Sequence, residues 1–173
     1  MVINLCDRTE ASVRLYYEKA QQPEIKKVLP QKAKSVEEAV SDYKQTLRPD
    51  SASCGRTVYA NGTYVGDVWC YRIDKTETPN AMLSFCIFER SFQNKGIATD
   101  AVALFLKEIR KKYYVNTIGA FTFSENRASQ RVLEKSGFQL MEEFCEDGIE
   151  SRYYQLDFDV SGILSGTEGE EAQ

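Results

Sequence analysis

The sequence predicts an α/β fold, a mixed sheet flanked by helices, and three observations lead there. Residues 81–88 are apolar on both faces, with Leu83, Phe85 and Ile87 alternating against Met82, Cys86 and Phe88, which marks a strand buried on both sides. Directly after it the period becomes helical, since Ala98, Ala101, Val102, Phe105 and Ile109 share one face. A second strand and helix follow at residues 117–123 and 126–135, and such a strand–helix–strand–helix run needs a crossover, so this half of the sheet is locally parallel. The chain has 173 residues, 42% of them hydrophobic, which suits one core better than two. One domain is expected over residues 1–158, with residues 159–173, rich in Gly, Ser and Glu, as a mobile tail.

Each element has its own local signal. A short strand is expected at residues 2–5. Val13, Tyr16, Tyr17 and Ala20 then share a helical face that ends before an irregular stretch around Pro23 and Pro30. A second helix is better marked: Ser35 caps it with Glu38 three residues on, Val36, Ala39, Val40, Tyr43 and Leu47 form its apolar face, and Pro49 lies just beyond. These two helices are placed to form a lid over one end of the sheet. Residues 57–73 are rich in β-branched and aromatic side chains, and Asn61-Gly62 among them signals a two-residue hairpin. A polar loop at 75–80 precedes the buried strand. The long helix is expected over residues 97–112, where Lys107, Arg110, Lys111 and Lys112 suit its C-terminal dipole. At the end, residues 139–145 and 150–158 read as strands joined across Glu146-Asp147-Gly148, whose Asp-Gly is a second hairpin signal.

Composition removes several classes of chemistry. With no histidine, a Ser-His-Asp triad, a Cys-His pair and a His-ligated metal are all impossible within one chain. The five cysteines, Cys6, Cys54, Cys70, Cys86 and Cys145, are odd in number and contain no Cys-x-x-Cys pair, so free thiols in a reducing cytoplasm are expected and no metal. A net charge of −4 gives no sequence-wide attraction to nucleic acid or anionic membrane, and no apolar run reaches the roughly 20 residues of a membrane span.

The segment from Phe88 to Thr99 joins the buried strand to the long helix through Gly96. A missing side chain lets backbone N–H groups approach an anion there, the helix dipole adds partial positive charge, and Lys95 adds a full one. Such a junction fits a diphosphate cradle, and it also fits an ordinary tight turn. Gly-x-x-x-x-Gly-Lys-Ser/Thr and Gly-x-Gly-x-x-Gly both fail to occur in the chain, which weakens nucleoside triphosphates and dinucleotides as ligands.

The pattern Gln93-x-x-Gly96-x-Ala98 resembles the coenzyme A pyrophosphate loop of the GCN5-related N-acetyltransferases. Residues Asn126 to Phe138 are similar to that family's second signature, an Asn-opened helix ending in Gly137-Phe138 about forty residues after the loop glycine. The resemblance runs from about Gly55 to Phe158, with an order of elements like that of the ribosomal-protein N-terminal acetyltransferases, and it is loose before Gly55. It implies a mostly antiparallel sheet of about six to seven strands flanked by about four helices, with the parallel half holding the cofactor. It also implies acetyl-coenzyme A as co-substrate and a small-molecule or peptide amine as acceptor, with a homodimer left open and neither nucleic acid nor membrane as partner. By the same resemblance Gln93, Asn94, Lys95, Gly96, Ile97, Ala98 and Thr99 hold the pyrophosphate, and Cys86, Ile87 and Phe88 offer main chain to the pantetheine arm.

Catalytic roles follow from the same likeness. An N–H near Phe88 is expected to polarise the thioester carbonyl, a type of donor worth roughly 3 to 4 kcal/mol. Asn126 has two readings, helix N-cap and pantetheine contact, and Ser129 matches the residue that the ribosomal-protein branch uses to protonate the departing thiolate. Many members carry a tyrosine where this chain has Leu133, a position that equally suits core packing. Candidate bases for the incoming ammonium are Asp67, Glu89, Glu125, Glu146 and Glu150, or a water chain. The expected reaction is direct attack of an amine on acetyl-coenzyme A, with Cys86 as a rival nucleophile that lacks an activating base. A non-catalytic coenzyme-binding module and transfer of a longer acyl group are the alternatives.

Overall fold

The computed structural model describes residues 1–158; the expected tail lies outside the described residues. The chain runs β1 (Ile3–Asp7), α1 (Glu10–Ala20), α2 (Pro23–Val28), α3 (Val36–Thr46), β2 (Cys54–Ala60), β3 (Thr63–Asp74), β4 (Asn80–Ile87), a 3-10 turn (Arg90–Phe92), α4 (Ile97–Tyr113), β5 (Thr117–Phe123), α5 (Arg127–Lys135), β6 (Gln139–Glu146) and β7 (Ile149–Asp157). One sheet contains the seven strands in the order β1-β2-β3-β4-β5-β7-β6. Every neighbouring pair is antiparallel except β4 with β5, whose parallel run is the crossover that the helical spacing after β4 requires.

Local chemistry explains the element ends. Thr9 and Ser12 close α1 with a capping box, Ser12 N–H donating to Thr9 Oγ1 at 3.1 Å and Thr9 N–H to Ser12 Oγ at 2.9 Å. Ser35 caps α3 as expected, accepting from Glu38 N–H at 3.1 Å, but Glu38 reaches one residue further back, to Lys34 N–H at 2.7 Å. Both hairpin signals form: Asn61 and Gly62, then Asp147 and Gly148, all take positive φ, as a type I′ turn requires.

The stretch expected to be irregular around Pro23 contains α2. Pro23 sits in its first turn, where a missing N–H costs nothing, and Ile25 anchors the helix at 4% exposure. Helix α4 spans the sheet with Ile97, Ala101, Val102, Phe105, Leu106 and Ile109 buried; Ile97 takes the inner position expected of Ala98. The main core lies between that face of α4 and the sheet, where Val58, Val68, Leu83, Ile118, Leu133 and Tyr154 are enclosed. A second cluster on the opposite face joins Ala20 of α1 and Ile25 of α2 to Cys86 and Phe88. The two faces of β4 are thus both covered, Leu83, Phe85 and Ile87 on one side and Cys86 and Phe88 on the other.

Candidate active site

Strands β4 and β5 pair only from Asn80–Met82 with Thr117–Gly119, after which they part while β4 stays bonded to β3 as far as Ile87. Gly66 in β3 permits this. A Cβ there would lie 2.0 Å from the Cys86 carbonyl oxygen, so only glycine lets β4 come this close to β3. The opening between the parted strands is a cleft of about 670 Å³, walled by β4, by α2, by Ala120, Phe121 and Thr122, by the first turn of α4 and by α5.

The open edge of β4 carries polar backbone toward the cleft. Phe88 N–H donates to Val65 O at 3.0 Å, continuing the β3–β4 register. Strand alternation then turns the backbone groups of Ser84, Cys86 and Phe88 toward β3 and those of Leu83, Phe85 and Ile87 toward the cleft. Phe88 N–H is therefore not the free donor expected of it, and the Phe88 ring is buried at 2% exposure against Tyr16 and Tyr64, while Cys86 and Ile87 line the cleft. Of the three residues expected to face the pantetheine, Ile87 alone turns its N–H to the cleft.

The loop after β4 is set by two left-handed residues, Asn94 at φ 58° and Gly96 at φ 79°. Gly96 N-caps α4 without a side chain, and Asp100 N–H to Gly96 O at 3.0 Å is the first bond of the helix. The N–H groups of Ile97, Ala98 and Thr99 therefore precede any helical acceptor and point out of the α4 N-terminus, where the dipole is positive. Gln93 ties the loop down, its Nε2 donating to Ile87 O at 2.9 Å. Asn94, Gly96, Ile97, Ala98 and Thr99 line the cleft with Gln93, whereas Lys95 is exposed off the wall, its Nζ 5.8 Å from the Phe92 ring centre.

Across the cleft, Asn126 caps α5: its Oδ1 accepts from Ser129 N–H at 3.1 Å. The cap uses only the oxygen, so both readings of Asn126 are compatible, and its residue and Ser129 are half-buried on the cleft wall. Gln130, which the sequence did not single out, fixes this corner. At 3% exposure its Nε2 donates to Phe123 O at 3.2 Å and Ser124 O at 3.0 Å, while its Oε1 accepts from Arg127 and Arg152. Leu133 is completely buried in the core, the packing role its helical position suggested.

The carboxylates separate clearly. Asp67 is 2% exposed, 2.9 Å from Arg8 Nε, and accepts from Tyr64 OH at 2.6 Å. Burial pushes its carboxyl above the ordinary range, with Arg8 and then Tyr64 opposing. Glu89 faces Lys19 at 3.8 Å, Glu125 faces Lys27 at 3.6 Å, and Glu146 and Glu150 are exposed on the β6–β7 hairpin. The carboxylate that does line the cleft is Glu24 of α2, paired with Arg90. Its own backbone N–H, then Arg90, hold it below the usual range. The Cys86 thiol is pushed up to about 12, first by burial, so it stays protonated and is a poor nucleophile. Among the described residues no helix is long and apolar enough to cross a membrane.

Comparison with known proteins agrees with this geometry. The sequence model described as "Acetyltransferase (GNAT) domain" matches residues 6–139. None of the curated protein sequences matches the chain. Among solved structures, a spermidine N-acetyltransferase from Vibrio cholerae in complex with CoA and spermine is 16% identical, covering 90% of this chain and 95% of that one, with a TM-score of 0.79. RimL, a ribosomal L7/L12 alpha-N-protein acetyltransferase in complex with coenzyme A, is 16% identical over 92% of this chain and 96% of its own, with a TM-score of 0.77. The aminoglycoside acetyltransferase AAC(6')-Ib in complex with coenzyme A is 16% identical over 90% and 95%, with a TM-score of 0.75. At this identity the three likenesses show a shared fold.

Proposed function

This chain belongs to the GNAT acetyltransferase family, and from that premise we propose that it transfers an acetyl group from acetyl-coenzyme A to a primary amine by direct attack within a ternary complex. The observation that carries the reading is the parting of β4 from β5 beside the uncapped N-terminus of α4. These residues suit coenzyme A. Three unsatisfied N–H groups at a helix N-terminus suit a pyrophosphate, and an open strand edge with alternating donors suits the amides of a pantetheine arm. When bound, acetyl-coenzyme A supplies a thioester carbonyl open to attack by an amine.

The roles of this chain's residues follow. Ile97, Ala98 and Thr99 hold the diphosphate through backbone N–H groups, with Gln93 and Gly96 shaping the loop. Leu83, Phe85 and Ile87 present backbone to the pantetheine, and Ile87 N–H takes over the polarising role first expected of Phe88. Asn126 Nδ2 faces the same arm, and Ser129 gives the leaving thiolate a proton. Pairing with Arg90 makes Glu24 a weaker base than a free carboxylate, and Asp67 is sealed behind Tyr64, so the acceptor's ammonium loses its proton to solvent rather than to a carboxylate. The acyl-enzyme route through Cys86 is disfavoured by its protonated thiol.

The acceptor is an amine, small or peptide-borne, as it is in the names of the spermidine, aminoglycoside and ribosomal-protein enzymes of the same fold. A cytoplasmic site of action fits the free cysteines, which a reducing compartment keeps as thiols. The test is a panel of polyamines, aminoglycosides and short peptides incubated with protein and acetyl-coenzyme A, following free thiol release and acetylated product by mass. Thiol release matched by one acetyl group on an amine is the expected result. Coenzyme binding without turnover on any amine would instead make the chain a coenzyme-binding module.

A further inference from the structure

Cys54 and Cys70 face each other directly across the β2–β3 ladder, the first cross-strand pair of that register. Both side chains lie on the α4 side of the sheet, Cys70 in the main core and Cys54 packed against it. Directly opposed residues of an antiparallel pair stand about 4.5 to 5.5 Å apart at Cα, inside the range of about 4.4 to 6.8 Å that a disulfide spans. Their Cβ atoms, about 4.5 to 5.5 Å apart, must draw together by up to about 1 Å to reach bonding distance. The bond is therefore formable but strained.

Access is unequal. Strand β1 covers β2 only from Arg56 to Ala60, so Cys54 lies beyond the covered part of its strand and is partly exposed, whereas Cys70 is completely buried. The attacking sulfur must be reachable by the oxidant, and of the pair only Cys54 is partly exposed. The pair sits under the C-terminal end of α4, at the opposite end of that helix from the cleft.

We propose that Cys54 and Cys70 are a reversible thiol–disulfide site, closed by low-molecular-weight disulfides. The Cys54 thiolate attacks one sulfur of the oxidant, forming a mixed disulfide and releasing one thiol. Burial raises the Cys70 thiol as it does that of Cys86, so the second step is the slow one: Cys70 Sγ attacks the adjacent Cys54 Sγ of the mixed disulfide, its proton passes to the departing thiolate, and the cross-strand bond forms as the second thiol is released. The protein loses two protons and two electrons, and the oxidant is reduced to two thiols. Strain makes the closed form readily reopened by a monothiol in excess.

The test uses the full chain carrying Cys6→Ser and Cys145→Ser, which removes the two exposed thiols and leaves the core unchanged. Treated with oxidised glutathione, it is expected to lose two hydrogens by intact mass, to yield a linked Cys54–Cys70 peptide, and to return to the starting mass with dithiothreitol. Adding Cys70→Ala should stop the reaction at one glutathionyl group on Cys54, and adding Cys54→Ser should prevent modification. A glutathionyl adduct that persists with Cys70 intact, a linkage to Cys86, or no reaction at all would overturn the proposal.

Discussion

Gly96 holds φ 79° with nothing within 4 Å of the place a Cβ would occupy. Its conformation and the charge of what it faces therefore decide its role, rather than lack of space within the protein itself. Gly96→Glu places a carboxylate against the α4 N-terminus and should weaken coenzyme A binding by about 3 kcal/mol, roughly a hundredfold, as measured by calorimetry. Ser129→Ala removes only a hydroxyl from the cleft wall. Turnover should fall about a hundredfold with coenzyme affinity unchanged, which steady-state kinetics beside calorimetry will resolve. Gln130 is different again. Gln130→Ala leaves two carbonyls and Arg152 with one fewer partner at a buried site, so urea unfolding should show a loss of about 2 kcal/mol together with weaker coenzyme binding. Gly96, Asn126 and Ser129 were legible in the sequence because they fall within spaced motifs. Gln130 was not, since a glutamine inside a helix gives no sign that its amide bonds a loop packed against it from the preceding strand.

At the scale of elements, α4 and the β4–α4–β5–α5 order followed directly from apolar periodicity, and both hairpins from Asn-Gly and Asp-Gly. Helix α2 escaped notice because two prolines flanking a short charged stretch carry no helical period; a first-turn proline and one buried isoleucine sufficed to form it. The parting of β4 from β5 has no periodic signal in the sequence. Its physical agent is Gly66, and a glycine inside an aromatic, β-branched strand was the available signal. Any side chain at 66 must push the Cys86 carbonyl back toward β5. Gly66→Ala should therefore cost about 3 kcal/mol of stability and reduce coenzyme affinity, measured by denaturation and calorimetry. Retention of both would show that the cleft does not depend on this contact. Which backbone edge faces the cleft was likewise beyond sequence, because a register shift of one residue exchanges Ile87 for Phe88.

For the whole molecule, α1 and α2 on one face and the α4–α5 layer on the other enclose a sheet that, among the described residues, carries one sealed ionic group in its interior. Asp67, with Arg8 and Tyr64, sits beneath α1 rather than in the cleft. Burial raises its carboxyl above the ordinary 3.8, so the stabilisation from its protonated form is complete below that value and is lost as pH rises through the raised one. Relative to Asp67→Asn, the wild type should thus gain stability on acidification across that window, read from paired urea titrations; a constant difference would show an unshifted carboxyl. The cofactor account itself rests on the opened strands and the bare helix terminus acting together. Calorimetric titration of acetyl-coenzyme A into folded wild-type protein and into Gly96→Glu tests that most directly. One site on the wild type and about a hundredfold weaker binding by the variant is the predicted result; no binding by folded wild type at millimolar coenzyme, or equal binding by both proteins, would contradict it.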